Sequence, residues 1–329
     1  MKTNTHCMIE KSKSPSNLAK VKISPWLIKK GRAFDNIEKK ELFLHRHRFS
    51  GNYIYADLTR RLEKKFKIDR SSTTLKRMPN YRTVGWIKHM GFDLTIFLEP
   101  IQINMPKCII EVSGPTHGYL LCLNELLSDL KTSFVEYTMD LYCPDLNSVQ
   151  NLFDVLIRYC YVPYAGEPYI FSGHKSPYQR PSGLNRTCYF LNLKIYERGP
   201  DDKRFEKGWK RKHLDRVRVK FEASRSYLKG RGIEKLEDLI IDCKFSEIMP
   251  KNYHFKVFDG SDILPNEIDT YTFIEGHESI QKEYVDARSN GVRNPYQYMK
   301  DALVLRKLKR ELDQLAIRFD EDWWNRFKT

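Results

Sequence analysis

The chain is poor in the features that assign a protein quickly. Its seven cysteines (positions 7, 108, 122, 143, 160, 188 and 243) are scattered and form no C-x-x-C pair. An odd, dispersed set supports neither a zinc ribbon nor a disulfide framework. Cys108 and Cys188 lie inside apolar runs and read as ordinary buried thiols, so a reducing cytoplasm is the expected compartment. No G-x-x-x-x-G-K-[ST] string occurs, so no P-loop ATPase is indicated, and neither G-x-S-x-G nor H-E-x-x-H is present. An apolar run of about 18 residues is lacking, as is a secretory h-region, so the expectation is a soluble, unexported protein with no membrane partner. No internal repeat of solenoid period is found.

What the chain has in excess is positive charge. Its 329 residues carry 57 Lys and Arg against 42 Asp and Glu, a net charge of +15. Such an excess favours a polyanionic partner, nucleic acid being the commonest. The length admits two modest domains or one elaborated one. Residues 1–90 read as a basic arm followed by a short helical accessory region. Within it, Leu58, Leu62 and Phe66 mark a basic amphipathic helix, and a second polar-capped segment runs from Ser71 to about Met90. Residues 91–245 read as the core, and 246–329 as an extension that ends in an amphipathic helix. In that last helix Leu305, Leu308, Leu312, Leu315, Phe319 and Trp323 recur at helical spacing. Packing on its own chain is its first expected role and a homodimer contact the second.

The core alternates strands and helices. Strands are expected at 93–103, 107–113, 135–141, 168–172, 187–196 and 215–222, with helices at 118–130, 147–160 and 228–243 between or after them. This order predicts an α+β fold, a mostly antiparallel sheet with helices on one face and an open, DNA-binding face opposite. Three strands carry the chemistry, because side chains alternate along a strand. Val135–Leu141 places Glu136, Thr138 and Asp140 on one side; Leu191–Tyr196 places Asn192, Lys194 and Tyr196 there; Arg216–Glu222 places Arg216, Arg218, Lys220 and Glu222 there. Carboxylates, cations and a tyrosine on one face are the inventory for attack of a tyrosine on a phosphodiester. A free phenol has a pKa of about 10 and needs nearby cations or a metal on the target phosphate. Mg²⁺ or Mn²⁺ would take oxygen ligands, with Glu222 and either Asp140 or Glu136 as the direct ones. Glu136 and Asp140 stand roughly 13 Å apart along a straight strand, too far to share one ion unless the strand bends.

DNA contacts are expected from two polar, basic loops, residues 174–186 and 199–214. They supply Lys175, Arg180, Arg186, Lys210, Arg211 and Lys212, with Tyr178 and Trp209 for base stacking, while Arg216 and Arg218 add charge on the strand. His45-Arg46-His47 has the spacing of a metal pair. Arg48 and Lys39-Lys40 beside it would repel a cation, so it reads as a basic surface element.

Four strings resemble known replication proteins. RVRVKFEASRSYLKGRGIEKLEDL (216–239) and CIIEVSGPTHGYL (108–120) are similar to strands of the gene II/gene X replication proteins of filamentous phages. The strand around Glu136 and Asp140 resembles the R-x-D-x-x-x-D strand of the trans-acting rolling-circle initiators of plasmids, with Phe134 where that family has Arg. KIYERG (194–199) resembles their tyrosine motif. The resemblance covers roughly residues 90–240. It implies a metal-dependent nicking and joining endonuclease that starts rolling-circle replication at an origin. Tyr196 would hold the 5′-phosphate, with Lys194 and Arg198 assisting it and Glu136, Asp140 and Glu222 around a Mg²⁺ or Mn²⁺ ion. Unwinding and synthesis would fall to a host helicase and polymerase. Tyr189 is a rival nucleophile, expected on the opposite face from Tyr196 if their strand is unbroken. The alternative is a DNA-binding replication accessory or regulator without catalysis, for which basic loops suffice.

Overall fold

The computed structural model describes residues 34–66, 80–89, 92–114, 117–172, 186–199, 214–241, 244–247, 253–258 and 279–325. Nine strands form one antiparallel sheet: β1 (Lys39–Gly51), β2 (Tyr81–His89), β3 (Phe92–Pro100), β4 (Cys108–Ser113), β5 (Lys131–Tyr142), β7 (Tyr169–Ser172), β8 (Arg186–Phe190), β9 (Leu193–Arg198) and β10 (Arg216–Ser224). Their order is β2-β3-β4-β1-β5-β10-β9-β8-β7. A three-stranded sheet joins β6 (Cys160–Tyr161), β11 (His254–Phe258) and β12 (Met299–Asp301). The α+β reading therefore holds.

Alternation does the sorting. Val135, Tyr137, Met139 and Leu141 of β5, Val217, Val219 and Phe221 of β10, and Leu193 and Ile195 of β9 are all buried on one face. Burying a side chain of this size contributes roughly 1.5–3 kcal/mol, which forces the polar partners to the other face. The helices α1 (Tyr55–Leu62), α2 (His117–Leu126), α3 (Leu146–Tyr159), α4 (Arg225–Lys229) and α5 (Leu236–Ile241), and the long α7 (Leu303–Asn325), put Leu58, Leu120, Leu152, Leu228, Leu239 and Leu312 into that same apolar cluster. Helix α6 (Ile280–Ser289) adds Ile280 to a smaller cluster with Tyr161 and Met299. The start of α3 is set by Asp145, whose carboxylate accepts the Ser148 backbone N–H at 2.7 Å.

Several expectations change. Strand β1 lies inside the region read as an accessory arm, yet it sits between β4 and β5 at the centre of the sheet. The segment expected to run as a second helical element toward Met90 contains a strand, β2, whose partner is β3. The helix expected at 228–243 is split, because Gly232 takes φ +77 and ends the first turn, leaving α4 and α5. Among the described residues after 246, Tyr253, Phe255, Leu305, Leu308 and Ala316 share one cluster with Val217 and Met139. Helix α7 packs on its own chain, as its apolar stripe requires. The described cysteines are unpaired thiols, and Cys108, Cys143, Cys160 and Cys188 are buried. No helix among the described residues is long and apolar enough to cross a membrane.

The close of β1 tolerates no side chain. A Cβ on Gly51 would lie 3.0 Å from Leu130 Cδ2, 3.0 Å from Tyr53 Cδ2 and 3.3 Å from Cys108 Sγ. Gly51→Ala is therefore expected to cost about 1–3 kcal/mol by overpacking, read as a lower urea midpoint with unchanged slope. An unchanged midpoint would show that the neighbours yield freely.

Candidate active site

The polar face of the sheet is built from β1, β5, β10 and β9. Register sets Glu136 opposite Glu222, Thr138 opposite Lys220, Asp140 opposite Arg218, and Tyr142 opposite Arg216. On the far side of β10, Arg218 faces Tyr196, Lys220 faces Lys194 and Arg216 faces Arg198. One step along β1 the register slips between Leu44 and Arg46, making His45 an extra residue. That bulge turns both His45 and Arg46 toward Glu136.

The centre of this face is not open to water. Glu136, Thr138, Asp140 and Arg218 are buried, roofed by cations and rings lying across them. Arg46 lies over the Phe134 ring at 5.0 Å, Arg218 over Phe43 at 5.2 Å and Arg216 over Tyr142 at 4.6 Å. Guanidinium planes cover aromatic faces favourably, and their stems exclude solvent from what lies beneath.

Under that layer each acid has a cation. Glu136 accepts from Lys220 Nζ at 2.8 Å, from the His45 Nδ1–H, and more distantly from Arg46 at 3.5 Å. Burial alone would raise its carboxyl; the His45 hydrogen bond and the Lys220 charge outweigh burial and hold it well below the usual carboxylate range. Asp140 takes a two-pronged bond from Arg218 and a third from Arg216 at 3.1 Å. Glu222 is bonded by Lys194. Farther along, Glu111 accepts from Arg48 at 2.7 Å.

Tyr196 stands among these cations. Strand register sets Arg218 directly opposite it, and the Lys220 ammonium lies 6.0 Å from its ring centroid. Cations so placed could meet charge on a phosphate.

The residues expected from sequence divide into three groups. Tyr196, Lys194, Glu136, Asp140, Glu222, Arg216 and Arg218 share the face, as alternation required. Arg198 is on the same side but buried beside Arg216, a step away from the tyrosine. Arg186 is corrected: it points to the helix side, bonded to buried Glu197 at 2.6 Å and to Asp154 at 2.6 Å, with Phe153 beneath it at 4.7 Å. It holds β8 to α3 and is not presented to DNA. Lys175, Arg180, Lys210, Arg211 and Lys212, with Tyr178 and Trp209, lie outside the described residues.

The three acids do not fit a divalent ion. Each is bonded by its own cation, and no group of three or more His, Cys, Asp or Glu able to hold a metal occurs among the described residues. Facing acids of β5 and β10 bring in Lys220, Arg218 and Arg216 with them, which the inventory of carboxylates alone did not weigh. As paired here, this face does not offer the carboxylates expected for Mg²⁺ or Mn²⁺ as free ligands.

Tyr189 is also corrected. Residues 187–196 are not one strand but a hairpin turning at Leu191-Asn192, with Asn192 at φ +61, a conformation asparagine tolerates. The turn sets Tyr189 opposite Lys194 and Thr187 opposite Tyr196, so Tyr189 shares the face of Tyr196. The Lys194 ammonium lies 5.9 Å from the Tyr189 ring. Asn192, expected beside Lys194 and Tyr196, forms the turn instead.

Two contributors went unassigned in the sequence. Lys220 was visible only as one cation in an alternating row. His45 was visible within His45-Arg46-His47, whose surface reading fails: His45 reaches the site, while His47 is completely buried on the helix side. A one-residue bulge separates two histidines that simple alternation would align.

No family model matches the sequence, and no curated protein matches it. Among solved structures, the fold is similar to that of a rolling circle replication initiator protein from Geobacillus stearothermophilus, with a TM-score of 0.40 and 10% sequence identity over 68% of this chain and 90% of that one.

Proposed function

We propose that the protein is a DNA nicking and joining enzyme that begins rolling-circle replication on a phage or plasmid replicon. Tyr196 is its nucleophile and holds the 5′-phosphate of the cut strand, leaving a 3′-hydroxyl for a host polymerase; a host helicase unwinds the duplex. The observation that carries this reading is the setting of Tyr196, with Arg218 opposite it across β10 and Lys220 beside its ring. Of the tyrosines on this face, Tyr189 has one cation near its ring, Lys194, whereas Tyr196 has Lys220 near its ring and Arg218 opposite it. The net charge of +15 supports a DNA partner.

One observation favours a second reading. Acids at the centre of this face are fully ion-paired, as in a polar layer that only stiffens a sheet, which would suit a DNA-binding protein without catalysis. A single experiment separates the two. The chain is incubated with supercoiled and single-stranded DNA from its own replicon and run on a denaturing gel. A covalent protein–DNA adduct is expected, abolished by Tyr196→Phe with DNA binding retained, and kept by Tyr189→Phe. An adduct that survives Tyr196→Phe, or none on either DNA form, would sink the assignment.

A further inference from the structure

We infer that strand cleavage by this chain uses fixed cations, Lys220 and Arg218, where a divalent metal ion would otherwise stand. The inference rests on the nickase reading and specifies how its chemistry is supported.

The geometry begins with occupancy. A divalent ion at Glu136 or Asp140 would have to displace donors already bonded there, Lys220 at 2.8 Å and Arg216 at 3.1 Å among them. It would do so where the two side chains are only 2% and 1% exposed, so water cannot screen its repulsion by the lysine and the arginines. Glu222 is bonded by Lys194 as well, in a more exposed pair. The acids therefore act as positioning residues: they hold cations in place rather than a metal.

Those cations keep capacity to spare. Arg218 directs two of its N–H donors at Asp140, and a guanidinium has five. Lys220 gives one hydrogen bond to Glu136 and lies 3.4 Å from His45 Nδ1, and an ammonium has three donors. Both sit beside the Tyr196 side chain, where the oxygens of a bound phosphodiester would arrive. Fixed donors aimed where charge develops serve the purpose of a Lewis acid without proton release.

The step is a transesterification. The Tyr196 oxygen forms a bond to phosphorus as the bond from phosphorus to the 3′-oxygen breaks. The phenolic proton passes to solvent and the 3′-oxygen takes one from solvent. Lys220 and Arg218 take no part in the proton exchange, and rejoining reverses the same step.

The test uses the full chain and single-stranded oligonucleotides from its own replicon, with EDTA or with Mg²⁺ or Mn²⁺, followed on a denaturing gel. The adduct is expected to form in EDTA at a rate within about twofold of that with either metal. Lys220→Met is expected to slow it about 100-fold under all conditions, the loss typical of removing one donor to a developing oxyanion. Lys220→Arg should restore most of the rate, which a merely structural role would not predict, and thermal melting checks that each variant is folded. An adduct that appears with Mn²⁺ and vanishes in EDTA overturns this inference and leaves the nickase reading standing. So does a folded Lys220→Met variant that reacts at the wild-type rate. No adduct under any condition removes both.

Discussion

Arg218→Ala is expected to destabilise the protein by about 3–5 kcal/mol, because it strands a buried carboxylate. Asp140 is 1% exposed and Arg218 4% exposed. Removing the arginine deletes a two-pronged bond and leaves Asp140 with Arg216 at 3.1 Å, at an oxygen that both had shared. The cost is the penalty of an under-satisfied buried charge, not the net worth of the pair. An apolar replacement of both partners should behave differently. Arg218→Met with Asp140→Leu removes two desolvated charges together and is expected to recover most of the loss. Urea unfolding of the wild type, the single variants and the double variant closes the cycle. A single variant within about 1 kcal/mol of wild type would show that water reaches Asp140.

The second large effect is an acid sensitivity that begins well above the carboxylate range. His47 is completely buried on the core side of β1, among Leu44, Tyr137, Leu239, Phe319 and Trp323, and neither ring nitrogen has a hydrogen-bond partner. Burial drives its pKa down from 6.5 to about 3. The native state therefore stays neutral there while the unfolded chain takes up a proton. Below pH 6.5 the unfolded state binds more protons than the native one, so stability falls as pH falls, down to about pH 3. At roughly 1.4 kcal/mol per pH unit, the loss from this group between pH 6.5 and 4.5 is about 2–3 kcal/mol. His47→Leu should flatten the curve over that window and raise stability at neutral pH. A residual slope belongs to His45 and His254, whose pKa values burial also lowers. Glu136 acts in a separate window. Its folded pKa is depressed, so its stabilisation is complete above the ordinary carboxylate range and is lost only at lower pH. A wild-type curve flat from pH 7 to 4.5 would refute the account of His47.

How much of this was readable in the chain differs by element. The strands at 135–141 and 216–222 were readable because period-two alternation assigns each side chain to a face without reference to its partners. The helix at 146–159 and the long last helix were readable for the same kind of reason, at a period near four. The hairpin at Leu191-Asn192 was not, since Tyr189–Tyr196 still alternates if the turn is ignored. The turn reverses the consequence for Tyr189, moving it from the opposite face to the same one. The place of β1 was hidden too, because nothing local says that Lys39–Gly51 pairs with strands more than fifty residues onward.

The sequence by itself determined the α+β class, the polar face that joins Glu136, Asp140, Glu222, Lys194 and Tyr196, and the excess of positive charge. Those follow from periodicity and composition, which are local or additive. Only the tertiary structure decided which cation each acid on that face meets. Antiparallel pairing placed Arg218 beside Asp140, and the bulge in β1 brought His45 beside the Glu136 already met by Lys220. A carboxylate becomes a metal ligand or half of an ion pair according to its nearest cation, and that neighbour comes from another strand.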